Sequence, residues 1–145
     1  MDKTDEKVIN ELLANAKKPL RDIAKKLRVS FVTVMNRIKK LEKEKIIKGY
    51  TAKVDYEKLG YQINVIIEIQ ISQGKLFELE RKIASYSFVH AVYDVTGDYD
   101  AIVFARFKTT RAMDNFLKKI QTLDFVKKTN TKLVLNTIKE NQEKV

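Results

Sequence analysis

Near the start of this chain two short segments with apolar stripes lie three residues apart, and that interval constrains the fold more than any other feature. Leu20, Ile23, Ala24 and Leu27 repeat at i, i+3, i+4, i+7, and Val34, Ile38 and Leu41 at i, i+4, i+7. Each spacing places its residues on one face of a helix, so two amphipathic helices are expected. Only Arg28, Val29 and Ser30 join them, and serine is a good N-cap for the second helix. So short a link, with small Ala24 where the helices approach, describes a helix-turn-helix, the alternative being an ordinary helical hairpin. A preceding helix is expected over Val8, Ile9, Leu12 and Leu13, capped by Asp2 and ended before Pro19.

The outward face of the second helix carries the chemistry. At 100° per residue Val32 lies opposite the buried stripe with Asn36, Lys39 and Lys43, while Thr33 and Lys40 stand alongside. Asparagine pairs bidentately with adenine, and Arg37, Lys39 and Lys40 suit phosphate or guanine. Ser30 and Thr33 stand at a helix N-terminus, where N–H groups also favour phosphate. Val32 cannot hydrogen-bond, but a thymine methyl in the major groove gives it an apolar partner, the alternative being an isolated exposed apolar residue of the ordinary kind, whereas Phe31 falls at the flank. Arg21 and Arg28 add positive charge next to this helix. Double-stranded DNA is therefore the expected partner. The charge distribution agrees: of the net charge of +10, residues 1–60 carry 16 Lys and Arg against 9 Asp and Glu. A basic half of this kind attracts polyanions. Charge alone is equally consistent with a solvated lysine-rich surface.

Beyond Ile47 the hydrophobic period changes. "GYTAKVDY", residues 49–56, alternates like a strand, and "KLGYQ" reads as a joint between domains. Ile63, Val65, Ile67, Ile69 and Ile71 then line one strand face, and Leu76, Leu79, Ile83 and Ala84 mark a helix. "FVHAVYDV" and "DAIVFARF" form two strands around a Thr96–Tyr99 turn; a helix follows over Met113, Phe116, Leu117 and Ile120, and "TKLVLNTI" closes with a strand. The expected class is α+β: a helix-turn-helix domain over residues 1–60, then a βαββαβ ferredoxin-like domain over 61–145. Ile66, Ile102 and Phe104 interrupt the sheet's polar face, so a second copy of the chain is expected to cover it.

Several function classes are disfavoured. The absence of cysteine removes disulfides and thiolate metal sites. The lone His90 falls in a strand and reads as structural, Asp98-x-Asp100 is a weak metal pattern, and no catalytic constellation appears. Neither enzyme activity nor a cofactor or metal is expected. The longest apolar run, Ala101–Ala105, is too short to span a bilayer, and "MDKTDE" is not a secretory signal pattern, so a cytoplasmic protein is expected.

"VINELLANAKKPLRDIAKKL", "TVMNRIKKLEKEKIIKGYTAKVD" and "VTGDYDAIVFARF" together resemble the Lrp/AsnC family of transcriptional regulators. The resemblance covers essentially the whole chain. It implies a winged-helix type DNA-binding domain and a ligand-sensing domain that dimerises through its sheet, with dimers assembling into tetramers or octamers. It also implies a small-molecule effector, often an amino acid, bound near "TGDYD". On that reading backbone N–H groups around Gly97 receive a carboxylate, and Asp98 or Asp100 meets an ammonium; the alternative is a tight hairpin in which Gly97 only supplies positive φ. Tyr93, Thr96, Tyr99, Thr129 and Thr131, with Asn130, close the pocket. The chain departs from the family pattern at Arg28 and Lys45, where glycine is usual and left-handed backbone is expected. The alternative function is an architectural, nucleoid-type DNA-binding protein without ligand sensing. From another class, an amino-acid-binding regulatory subunit of a metabolic enzyme is disfavoured by the basic helix-turn-helix.

Overall fold

The computed structural model describes all residues except Gln73 and Glu143. Two compact units emerge: Met1–Lys53 together with Lys139–Val145, and Val54–Ile138. The division therefore falls at Lys53/Val54 instead of 60/61, and "KLGYQ" lies inside the second unit.

The first unit holds α1 (Lys3–Ala14), α2 (Leu20–Leu27) and α3 (Phe31–Lys43). Asp2 caps α1 by accepting from the N–H groups of Thr4 and Asp5 at 2.8 and 2.9 Å. Asp5 returns the bond by accepting from the Asp2 N–H at 2.9 Å, which completes a capping box. Pro19 sits at the N-cap of α2, where its φ of −57° suits helix entry and its missing N–H costs nothing. Ser30 caps α3, accepting from Thr33 N–H at 3.0 Å. Val8, Ile23, Ala24, Val34 and Ile38 close one core, as the helical stripes require, with Leu12, Leu20, Leu27 and Val29 packed against it.

Both expected left-handed positions are present. Arg28 has φ 56° and Lys45 has φ 59°. In each case the helix ends in a paired set of back-bonds. Val29 N–H donates to Ala24 C=O and Arg28 N–H to Lys25 C=O; Ile46 N–H donates to Leu41 C=O and Lys45 N–H to Glu42 C=O. This is the Schellman pattern, which satisfies the last carbonyls of a helix by turning the chain through left-handed space.

Residues 49–56 do not form the expected strand. Their alternation is real, but a strand needs a neighbour to take its N–H and C=O groups, and none pairs with them among the described residues. No wing therefore forms within one chain. "KLGYQ" closes a tight turn instead: Tyr61 N–H reaches Tyr56 C=O at 3.0 Å, and Gly60 takes φ 89°.

The second unit has the expected order β1 (Ile63–Ile71), α4 (Leu76–Ala84), β2 (Val89–Asp94), β3 (Ala101–Phe107), α5 (Thr110–Gln121) and β4 (Val126–Leu133). Its four strands lie in the order β2-β3-β1-β4, every neighbouring pair antiparallel. Val65, Ile67, Ile69 and Ile71 of β1 join Val103, Ala105 and Phe107 of β3, Leu79 and Ile83 of α4, and Phe116 and Ile120 of α5 in one core. Full burial of each such aliphatic side chain contributes about 1.5–3 kcal/mol.

The last strand differs from expectation. It spans Val126–Leu133, where the sequence alone suggested residues 131–138. Its register explains why: Ile71 pairs with Val126 and Val65 with Leu133, so β1 is almost exhausted when β4 reaches Val134. The later residues have a strand-like composition but no strand partner among the described residues, and Leu135 is 83 % and Ile138 92 % exposed.

Candidate functional site

Two regions concentrate the sequence-selected residues. On α3 the wheel argument holds: Val34, Ile38 and Leu41 are buried, whereas Val32 is 54 % exposed and Asn36, Lys39 and Lys40 are exposed beside it. Phe31 is exposed at the helix start, and Arg21 and Arg28 are exposed before it. Ser30 and Thr33 are already engaged, because their hydroxyls lie 2.8 Å apart and Ser30 caps the helix. Arg37 departs from the expected free cation. Its Nη1 donates to Asp2 and to Asp5, the latter at 3.2 Å, and Lys40 Nζ lies 3.9 Å from Asp5. The Asp2 carboxylate raises Arg37 above its ordinary pKa, with Asp5 adding to the effect. The Asp5 backbone N–H, with Arg37, holds Asp2 below its usual range. Sequence reading missed both acids as partners of α3 because they lie more than thirty residues away.

The second region is the sheet face opposite the core helices. Thr96, Asp98 and Tyr99 line a shallow pocket there with Asp94, Val95, Ile102, Glu68, Asn130 and Lys132. Glu68 is its fixed anion. It accepts from Asn130 Nδ2 at 2.8 Å and pairs with Lys132 Nζ at 2.8 Å, and Lys132 first, then Asn130, lowers its pKa. Gln70 Nε2 donates to the Asp98 carbonyl at 3.0 Å, and Lys128 Nζ stands 5.6 Å from the Tyr99 ring centroid. Negative and positive groups therefore share one open surface.

Three expected effector residues are placed otherwise. Thr129 and Thr131 lie within β4 opposite Ile69 and Ile67, whose side chains enter the core. Directly opposed residues share a face, so both threonines point away from the pocket; Thr129 indeed accepts from Gln121 of α5 at 3.2 Å. Asp100 is occupied: its Oδ2 accepts from Ile71 N–H at 2.8 Å, while its own N–H donates to Ile69 C=O. Gly97, with φ 110°, forms the turn tip, and Tyr93 packs edge-on against Phe104 at 5.9 Å. Glu68 and Lys132 were missed as site residues. The polar set Asn64, Glu68, Gln70 on β1 held the signal, but the β4 register was needed to place Asn130 and Lys132 beside it.

Ile66 of β1 stands opposite Phe104 of β3, and Ile102 is adjacent to Tyr93 of β2, so an apolar band crosses the same face. Among the described residues no group of three side chains is arranged to hold a metal ion, and no helix is long and apolar enough to cross a membrane.

A capped helix with a polar outer face following a tight turn defines a helix-turn-helix domain, and a ferredoxin-like domain with a charged pocket follows it. Residues 1–42 match the AsnC-type helix-turn-helix domain, and residues 64–143 match the Lrp/AsnC ligand binding domain. A helix-turn-helix-type transcriptional regulator of Pyrococcus furiosus is 45 % identical over 97 % of this chain and 95 % of its own length. The structure of E. coli AsnC is similar with a TM-score of 0.92 at 27 % identity, covering 100 % of this chain and 99 % of that one. The fold also matches a Neisseria meningitidis transcriptional regulator solved as an L-Met complex, with a TM-score of 0.91 at 22 % identity over 97 % and 94 % of the two chains. The chain belongs to the Lrp/AsnC family of transcriptional regulators.

Proposed function

We propose that this regulator recognises operator DNA through α3, acts as a dimer or larger assembly, and responds to a small zwitterion held on the outer sheet face. The observation that carries the DNA reading is the exposed row Val32, Asn36, Lys39 on a helix whose opposite stripe is fully packed. Asn36 reads adenine, Val32 meets a thymine methyl, and Lys39 and Lys40 hold phosphates, with Arg21 and Arg28 as flanking cations. Two such helices must stand about one DNA turn apart, ~34 Å, and self-association supplies that spacing. The apolar band of Ile66, Phe104 and Ile102 supports a second copy as its cover.

The effector reading draws support from the mixed charge of the pocket. Asp94 and Asp98 suit an ammonium, and Lys132 together with N–H groups near Gly97 suits a carboxylate, the pairing that an amino acid offers. The L-Met complex of the Neisseria relative is consistent with this class of ligand. Operator selection from random duplexes, followed by titration and ultracentrifugation with a panel of amino acids, tests the whole reading. A consensus sequence and an amino acid that shifts affinity or assembly size are expected. Binding that unrelated competitor DNA abolishes, with no response to any amino acid, would favour the architectural alternative.

A further inference from the structure

Among the described residues, Arg37 is the cation of α3 that hydrogen-bonds a buried acid, Lys40 Nζ standing farther off at 3.9 Å from the same carboxylate. Asp5 is 0 % exposed, yet it is an ionisable side chain with both oxygens used: Oδ2 takes the Asp2 N–H and Oδ1 takes Arg37 Nη1 at 3.2 Å. Asp2, 51 % exposed, takes the same Arg37 nitrogen from the outer side. Every side-chain hydrogen bond of Arg37 among the described residues thus leaves through Nη1. A guanidinium has five N–H donors in a rigid plane, so those on Nη2 and Nε stay open on a side chain that is 31 % exposed. A buried carboxylate gripping one corner fixes the direction of the rest. That open fork has the geometry for bidentate phosphate binding.

We propose that Arg37 is a DNA-backbone contact aimed by buried Asp5, and that the exposed Asp2 carboxylate competes with the phosphate for it. This rests on the reading of α3 as the DNA-contacting helix. Asp5 is then a positioning residue and Asp2 a brake on affinity. The charge at Asp2 is not required for its role at the start of α1, since asparagine caps a helix as well as aspartate does. Its negative charge instead stands on Arg37, beside the open fork where a phosphate must approach.

The test uses the full chain and a mixed-sequence DNA duplex titrated across a salt series. Asp2→Asn keeps the cap and removes the competing charge. It should tighten binding about three- to fivefold, the scale of one exposed ion pair. It should also steepen the log–log salt dependence by up to about one unit, while Arg37→Gln weakens binding and flattens the slope by about 0.9. In the Arg37→Gln background, Asp2→Asn should no longer tighten binding. If Arg37→Gln does not fold, Arg37→Lys takes its place and should keep the slope while losing affinity, because the charge remains but the fork is gone. Unchanged or weaker binding by a fully folded Asp2→Asn variant overturns the proposal. Lys39→Ala separates the two levels: if it weakens binding while the Asp2 and Arg37 variants bind like the parent, only this inference fails. If the parent binds no duplex, the DNA reading of α3 fails with it.

Discussion

Lys45→Gly is a direct probe of how this chain ends α3. Lys45 holds φ 59°, and the two back-bonds of Ile46 and Lys45 close at 2.9 and 3.1 Å, so glycine can enter without rearrangement. Left-handed backbone costs a residue with a Cβ about 1–2 kcal/mol. Glycine escapes that penalty but loses about 0.4–1 kcal/mol through its freer unfolded chain. Removing a cation from a helix C-terminus subtracts about 0.3 kcal/mol more. The net expectation is stabilisation of about 0.5 kcal/mol, a rise in melting temperature of about 1–2 °C for a chain of this size. Lys45→Ala isolates the backbone contribution, because it removes the same charge while keeping the Cβ. Glycine should therefore exceed alanine by about 1 kcal/mol in calorimetry of otherwise identical chains. An alanine variant as stable as the glycine variant would refute the reasoning, since the left-handed geometry would then carry no strain. Arg28→Gly should behave alike, its φ of 56° and its paired back-bonds being equivalent.

Asp100→Ala should lower stability by about 1–2 kcal/mol in urea unfolding, because it strips the acceptor from the Ile71 N–H, whereas Asp100→Asn should lose less. Equal losses would show that the carboxylate does not hold that strand end. Val32→Ala should relax base preference at one A·T pair without changing the salt dependence, while Lys39→Ala should weaken binding to all duplexes and flatten it. A selected consensus unaltered by Val32→Ala would remove the thymine contact. Lys132 and then Asn130 hold the Glu68 carboxyl below the usual carboxylate range, so its contribution to stability is complete above that range and disappears as pH falls through the lower folded pKa. Glu68→Gln should accordingly make the acid unfolding curve shallower below pH ~4.5, and an identical curve for parent and variant would contradict this linkage.

What was legible in the chain was whatever depends on near neighbours. Helix faces follow from spacing, which is why Val34, Ile38 and Leu41 are buried and Val32 is exposed. Asp2 and Ser30 announced their helices because a cap bonds N–H groups only two or three residues away. Arg28 and Lys45 stand at left-handed positions because the turn after a helix has few ways to satisfy its carbonyls. The β-α-β-β-α-β order was readable from the change of period alone.

Pairings across long sequence separations were decided only by the tertiary structure. β4 was misplaced because residues 126–130 are largely polar, whereas 133–138 look like a strand; register against β1 overrode composition. A strand alternates its faces every residue, so that register also turned Thr129 and Thr131 towards the helices and brought Asn130 and Lys132 to Glu68. Residues 49–56 alternate correctly yet pair with no strand among the described residues, because a strand exists only where another backbone completes its hydrogen bonds. Arg37 likewise read as a free cation until folding brought Asp2 and Asp5 beside it. Local bonding writes its rules into a few consecutive residues, while contacts between distant segments depend on how those segments pack.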